Sequence, residues 1–179
     1  MRLCLTTLAA SCGALFLVSA ALHAQNPVTR TLQAIEERAA HNLIEGAEDM
    51  PEDKYDFKPT PAQMSFGQVV LHVAGGNEVL CSAIAGKTPP ERPKLSPTDS
   101  KHKLVERLEE SFDVCNAALE HADDSHLGDS VPFFGGRKTT RAAALIELAV
   151  DWADHYSQVA IYLRLNGILP ATAKHKEKM

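Results

Sequence analysis

The chain has 179 residues, with 18 lysine and arginine residues against 23 aspartate and glutamate residues, which gives a formal net charge of −5 at pH 7. An acidic chain without a basic patch lacks the electrostatic footprint of nucleic-acid-binding proteins, so no nucleic-acid partner is predicted. Hydrophobic residues make up 45% of the sequence, the range expected of a globular domain with a buried core. The length suits a single domain.

The first 24 residues are predicted to be a secretory signal peptide. Arg2 gives a positive start, residues 3–22 form the apolar run "LCLTTLAASCGALFLVSAAL", and Ala24 offers a small-residue cleavage point. The alternative is a retained membrane anchor, because the apolar run approaches spanning length. Cleavage predicts a bacterial periplasmic or secreted protein with no further membrane span. The last residues, 171–179, are predicted to be a disordered basic tail.

Two cysteines, Cys81 and Cys115, remain after the predicted cleavage. An even number of cysteines in an oxidising compartment predicts a disulfide. Closing this loop would stabilise the fold by roughly 3–4 kcal/mol on the chain-entropy model. The alternative is a pair of buried free thiols. The sequence has no CxxC spacing, so it predicts neither a redox motif nor a zinc knuckle.

The first two predicted elements are helices. Apolar residues spaced near 3.6 predict a helix over about residues 28–49, and the Pro-rich stretch "MPEDKYDFKPTPAQM" ends it. A second helix is predicted after Ser65, which forms a capping box with Gln68, and it continues to about Ala85. No segment alternates convincingly with a period of two, so no strand is predicted.

Two further helices are predicted after a Pro-rich linker, "GKTPPERPKLSPT", at residues 86–98. The third covers about residues 99–121, and the segment "DDSHLGDSVPFFGGRK" after it is predicted to be a loop. The fourth begins at Thr139 or Thr140 as N-cap and ends near residue 166, where Gly167 provides a left-handed stop.

Four long helices predict an all-α four-helix bundle over residues 25–170. His72 on the second helix and His155 on the fourth each fall in a predicted inward-facing seam of apolar residues. The two lie at similar heights only if these helices are antiparallel. That arrangement requires an up-down-down-up bundle with a long crossover between the second and third helices. The Pro-rich linker reaches roughly 40 Å in a polyproline conformation, which is long enough.

A metal site is predicted from His72, Asp151 and His155. Asp151 lies four residues before His155 and therefore on the same helical face. A divalent ion would compensate the cost of a buried carboxylate and leave coordination positions open for water or substrate. Zinc and nickel are the preferred ions, and manganese or iron is compatible with these ligands. The alternative is a plain His–Asp hydrogen bond, with His72 satisfied separately by the backbone or by water.

Four further side chains are predicted to surround the three ligands without binding the ion: Gln158, Asp154, Tyr162 and His41. Gln158 extends the polar stripe three residues beyond His155, and Tyr162 offers a hydroxyl group. His41 lies near the inward edge of the first helix, with surface exposure as the alternative.

The stretches "MPEDKYDFKPTPAQMSFGQVVLHVAG" and "DHYSQVAIYLRLNGILP" resemble the DinB family of DinB/YfiT-like proteins, over about residues 28–170. The resemblance implies an up-down-down-up bundle that binds a divalent metal through one residue on the second helix and two on the last. Those positions are His72, Asp151 and His155. The commonest family pattern has three histidines and an "HRGQ"-like segment, where this sequence has Asp151 and "HYSQ".

Three functional hypotheses remain open. Relatives implied by the resemblance include thiol S-transferases that use bacillithiol or mycothiol, and a maleylpyruvate isomerase, but an exported protein would meet little of those cytosolic thiols. The first hypothesis is an exported metal-dependent hydrolase or transferase of an unknown small-molecule substrate. The second is a non-catalytic metal-binding or stress-related bundle that acts as an interaction module, in one version as a homodimer. The third is a structural module without metal.

Overall fold

The computed structural model describes residues 26–174. The predicted signal peptide, residues 1–24, and residues 175–179 of the predicted tail lie outside these residues. Within the described range the fold is mostly helical, as predicted, and its four long helices are α1 (Pro27–Asp49), α2 (Phe66–Ile84), α3 (Lys101–Glu120) and α4 (Arg141–Leu165). None of the helices between residues 26 and 174 is long and apolar enough to cross a membrane.

The predicted helix boundaries agree with the hydrogen bonds at the helix ends. At the start of α2, the Ser65 Oγ accepts from the Gln68 amide at 3.2 Å, and the Gln68 Oε1 accepts from the Ser65 amide at 2.7 Å. This is the predicted capping box. Thr140 is the N-cap of α4, since its Oγ1 accepts from the Ala143 amide at 3.2 Å. Gly167 has a φ of 75° and ends α4 in the left-handed region.

The prediction that the chain has no strand is wrong for the segment between α3 and α4. Strands β1 (Ser130–Pro132) and β2 (Lys138–Thr140) pair antiparallel in a small hairpin, with Val131 opposite Thr139. Each strand has three residues, and only Val131 among them is buried. Such short strands are below the length at which a two-residue alternation can be recognised.

The predicted disordered tail does not begin at residue 171. A short helix, α5 (Ala171–Lys174), follows α4 and contacts α1. The Lys174 Nζ lies 2.9 Å from the Glu45 Oε1 and 2.5 Å from the Asp49 Oδ2. A lysine in a basic terminal run gives no sequence signal for these acidic partners, which lie more than a hundred positions earlier on α1.

Helices α2 and α3 are joined covalently and by a buried polar contact. The predicted disulfide between Cys81 and Cys115 is present in the structure. One turn earlier on each helix, the Asn77 Nδ2 donates to the Ser111 Oγ at 3.0 Å. The two contacts occur in the same order along both helices.

The contacts between α2 and α4 occur in the opposite order along the two helices, so that residues later in α4 contact residues earlier in the chain near α2. The Trp152 Nε1 donates to the Asn77 Oδ1 at 2.7 Å. Further along α4, the Tyr162 hydroxyl donates to the main-chain oxygen of Met64, which precedes α2, at 2.7 Å. Helix α1 packs against the other faces of α3 and α4. Trp152 is among the largest fully buried side chains of the core.

The Pro-rich segment 86–98 contains neither helix nor strand and lies against α2 and α3. The Arg92 Nε lies 2.8 Å from the Glu78 Oε1, and its Nη1 pairs with Glu110. The Arg107 Nη2 donates to the Pro93 carbonyl oxygen at 3.0 Å. These contacts hold the segment along the helices that it connects.

Candidate metal site

His72, Asp151 and His155 come together where α2 crosses α4. One ligand atom from each residue lies within 4.8 Å of the other two. The imidazole rings of His72 and His155 have their centroids 4.8 Å apart and are tilted by 40°. Two nitrogen ligands and one oxygen ligand from facing helices form a donor set that divalent transition metals accept. The residues present therefore fit the predicted ion.

Asp151 and His155 lie one turn apart on α4, which brings their side chains into contact. The His155 Nδ1 lies 2.8 Å from the main-chain oxygen of Asp151 and 3.3 Å from its Oδ1. A neutral imidazole that donates its Nδ1–H to these oxygens keeps the lone pair on Nε2. Fixing the tautomer in this way is how partner groups prepare a histidine for a metal ion.

The local electrostatics favour positive charge at His155. The hydrogen bond that the Asp151 carboxylate accepts from His155 raises the pKa of His155, and its effect exceeds the opposing effect of burial. The main-chain oxygen and the charge of Asp151, and the charge of Asp154, act in the same direction. A bound ion would use the same negative potential and would compete with a proton.

The cluster is buried at one end and open at the other. The side chain of His155 is 7% exposed and that of Asp151 is 26% exposed, whereas His72 is exposed. The prediction that His72 faces inward is therefore wrong, and Val79, seven residues further along α2 on the same helical face, is 37% exposed. Apolar residues surround almost the whole circumference of α2, so spacing alone does not identify its buried face.

Of the predicted surrounding residues, Asp154 and Gln158 act near the cluster. The Gln158 Nε2 donates to the Asp154 Oδ2 at 3.1 Å. Asp154 is exposed, yet its charge contributes to the raised pKa of His155. Gln158 therefore orients a carboxylate that adds to the negative potential at His155.

Tyr162 and His41 have other partners. The Tyr162 hydroxyl donates to the main-chain oxygen of Met64, which ties α4 to the segment before α2. The side chain of His41 is 56% exposed, and its Nε2 lies 3.2 Å from the Glu45 Oε2. The alternative of surface exposure is the correct one for His41.

Sequence reasoning missed a buried polar network that supports the cluster. Asn77 accepts a hydrogen bond from Trp152 at 2.7 Å and donates one to Ser111 at 3.0 Å. Asn77 and Ser111 are fully buried, and Trp152 is 1% exposed. Trp152 directly follows Asp151, so the network fixes the height of α4 against α2. An asparagine within the apolar run of α2 was the available signal.

Gly76 provides the space in which the Asp151 carboxylate lies. A Cβ built at position 76 would be 3.6 Å from the Asp151 Oδ2, which is ordinary van der Waals contact. At Gly75 nothing lies within 4 Å of such a Cβ. A side chain larger than a methyl group at position 76 would therefore displace the carboxylate, whereas position 75 tolerates a methyl group freely.

Solved structures with a similar fold support the architecture. A conserved protein from Enterococcus faecalis is 20% identical, with a TM-score of 0.63, over 77% of this chain and 96% of its own. A DinB-like protein from Bacillus subtilis is 22% identical, with a TM-score of 0.61, over 76% of this chain and 92% of its own. A DinB-like protein from Bacillus cereus is 15% identical, with a TM-score of 0.59, over 74% of this chain and 88% of its own.

Comparison with curated proteins gives no match. The sequence profile of the DinB superfamily matches residues 36–159, which include α2, α3 and the three clustered residues. The match extends over more than half of the chain and agrees with the resemblance of its motifs. The chain therefore belongs to the DinB superfamily.

Proposed function

We propose that this protein binds one divalent metal ion through His72, Asp151 and His155. The observation that carries the proposal is the convergence of three ligand atoms within 4.8 Å of one another, from two helices that a buried network holds in register. Zinc and nickel suit two imidazoles and a carboxylate best, and manganese and iron(II) are compatible.

The bundle that holds the site is proposed to be up-down-down-up, with residues 86–98 as the crossover. Contacts between α2 and α3 occur in the same order along both helices, which supports parallel directions. Contacts between α2 and α4 occur in reverse order, which supports antiparallel directions. These directions bring His72 level with His155.

The proposed chemistry is hydrolysis or group transfer on a small molecule. When bound, a divalent ion with three protein ligands lowers the pKa of a bound water or thiol. The exposed His72 leaves the site open to solvent, which favours access for a substrate. Asp151 holds the His155 Nδ1–H, and the Asn77–Trp152 contact holds the helix that carries both residues.

Export is part of the proposal. The apolar leader with its Ala24 cleavage point supports it at the level of sequence. The Cys81–Cys115 disulfide supports it at the level of structure, because disulfides persist mainly in oxidising compartments.

A second candidate function, a non-catalytic module that associates through helices α1 and α4, has its own supporting observation. Val28, Ile146 and Val150 are 42%, 63% and 57% exposed, respectively, and they line one apolar groove. Contiguous apolar surface of this kind is typical of association sites. A homodimer would cover it. Metal binding without turnover would favour this second function over catalysis.

Elemental analysis of the mature, untagged protein tests the metal site. We expect about one equivalent of a single metal per chain in the wild type, because two histidines and a carboxylate suffice for a divalent ion. His72→Ala, His155→Ala and Asp151→Ala should lose it, and Glu147→Gln, which removes an exposed charge from the same helix, should retain it. Absence of metal after incubation with zinc, nickel, manganese and iron(II) would contradict the proposal.

Gly76→Leu is expected to weaken metal affinity about tenfold or more, the effect of losing a ligand's supporting contacts. The reason is that the leucine side chain displaces the Asp151 carboxylate. Gly75→Ala is the matched control and should raise the free energy of unfolding by about 0.5–1 kcal/mol without changing affinity. Titration against a competing chelator measures the affinities. Equal affinity in wild type and Gly76→Leu would show that Asp151 does not bind the ion.

A further inference from the structure

Glu36 is a buried carboxyl group on α1 that the proposed metal site does not use. The residue is 5% exposed and lines a cavity of about 580 Å³ between α1 and α3. Among residues 26–174, no side chain or backbone group forms a hydrogen bond or an ion pair with its carboxylate. Burial raises the pKa of Glu36 to about 7, with smaller contributions from the charges of Glu37 and Asp113.

A carboxyl group at position 36 is unfavourable for the stability of the fold. Leu32, Ala39 and Leu43, at neighbouring positions on the same face of α1, are apolar core residues. The carboxylate oxygens of Glu36 open into the cavity, since they are not among the buried polar atoms of residues 26–174 that lack a partner, but the surrounding burial disfavours the charged form. An apolar residue at position 36 would fit the stripe of α1 better. The carboxyl group is therefore accessible from the cavity and available to a partner that residues 26–174 do not supply.

The rest of the cavity identifies the charge of that partner. Four further carboxylates line the cavity, and no lysine or arginine is among the described residues that do so: Glu37, Glu109, Asp113 and Glu120. All four are exposed, so they form a rim above the buried Glu36. A cavity with low-dielectric walls and a single sign of charge concentrates ions of the opposite sign. The partner is a cation.

The spacing of the carboxylates and the apolar walls identify its chemical class. Within residues 26–174, only His72, Asp151 and His155 bring three possible ligand atoms as close as a metal ion requires, so the cavity carboxylates are too dispersed for one inorganic ion. Ile44 and the buried Phe112 provide apolar walls between them. Methylene groups suit such walls, and an aromatic face also attracts ammonium groups.

We propose that the cavity between α1 and α3 binds an aliphatic polyamine, with one ammonium group paired to Glu36 and another to the acidic rim. The methylene chain between the ammonium groups packs against Phe112 and Ile44. Binding satisfies the buried carboxylate by a charge-assisted hydrogen bond. The cavity lies between α1 and α3, so binding there does not depend on the metal site between α2 and α4.

Isothermal titration calorimetry of the mature protein with spermidine tests the proposal. We expect saturable binding with one site per chain, weakened about tenfold or more in Glu36→Gln, since hydrogen bonds to charged groups contribute about 1.5–3 kcal/mol. Glu120→Gln, on the rim, should weaken binding less. Glu106→Gln, an exposed charge on α3 that does not line the cavity, should leave binding unchanged. Thermal melting checks that each variant is folded.

Three outcomes would overturn the proposal. Equal weakening of spermidine binding in Glu36→Gln and Glu106→Gln would show that binding depends only on the overall charge of the protein. Full displacement of spermidine by an equal concentration of magnesium would make the site one for inorganic ions. Absence of saturable heat with both spermidine and 1,4-diaminobutane would show that the cavity does not select polyamines.

Discussion

Opening the Cys81–Cys115 disulfide is expected to lower the free energy of unfolding by about 3–4 kcal/mol on the chain-entropy model. The bond closes a loop of sequence separation 34, and that loop includes the whole Pro-rich segment 86–98. Without the bond, the unfolded chain regains the conformational freedom of this segment, whereas the folded state keeps its other contacts between α2 and α3. Urea unfolding with and without a thiol reductant measures the difference.

The double variant Cys81→Ala, Cys115→Ala is the control for this measurement. Both cysteines are fully buried, so the double variant loses packing as well as the cross-link. Its unfolding midpoint should not respond to the reductant, whereas that of the wild type should fall. If the wild-type midpoint also fails to respond once reduction has been verified by thiol counting, the loop-closure account is wrong.

Glu36→Gln is expected to raise the free energy of unfolding by about 1–3 kcal/mol at pH 8, with allowance for solvent screening through the cavity, and to have little effect below pH 4.5. Folding raises the pKa of Glu36 from its ordinary value of 4.5 to about 7. The folded state therefore holds a proton that the unfolded state releases between these pH values. Stability falls as the pH rises through this window, and above it the buried group is ionised at full cost.

Glutamine keeps the shape of the neutral carboxyl group and cannot ionise, so the variant should lose this part of the pH dependence. Urea unfolding of wild type and variant, in the absence of polyamines, measures the difference at each pH from 4 to 8. Glu106→Gln, which changes the charge equally at an exposed position, is the matched control. A wild-type-to-variant difference that stays constant across this range would contradict the assigned pKa.

Local sequence signals were sufficient to predict those features of the structure that depend only on residues close together in the sequence. The capping box of Ser65 and Gln68, the N-cap at Thr140 and the stop at Gly167 each depend on a few adjacent residues. The same holds for Asp151 and His155, because a spacing of four places them on one face of a helix. Placing His72 beside them needed the direction of α2 relative to α4, which the linker length and the resemblance to the DinB family both supplied.

Features that depend on packing were not predictable in this way. The exposure of His72 depends on which side of the apolar helix α2 faces the core, and a helix that is apolar almost all round does not encode that choice in its spacing. Lys174 finds partners on α1 only through the tertiary fold. Glu36 did carry a signal, because it lies between Leu32 and Ala39 in the inward stripe of α1, where a charged residue is out of place.

Trp152 gives the molecule an intrinsic fluorophore between its two candidate sites. It is the only tryptophan of the chain, so all tryptophan emission comes from one buried indole. The centroid of the Trp152 ring lies 5.9 Å from that of Phe112, which lines the cavity between α1 and α3. Trp152 also directly follows Asp151 in the sequence. A paramagnetic ion near His155 would quench the emission at close range, whereas a guest against Phe112 would shift its wavelength. Occupancy of the two sites therefore becomes distinguishable in an unlabelled sample.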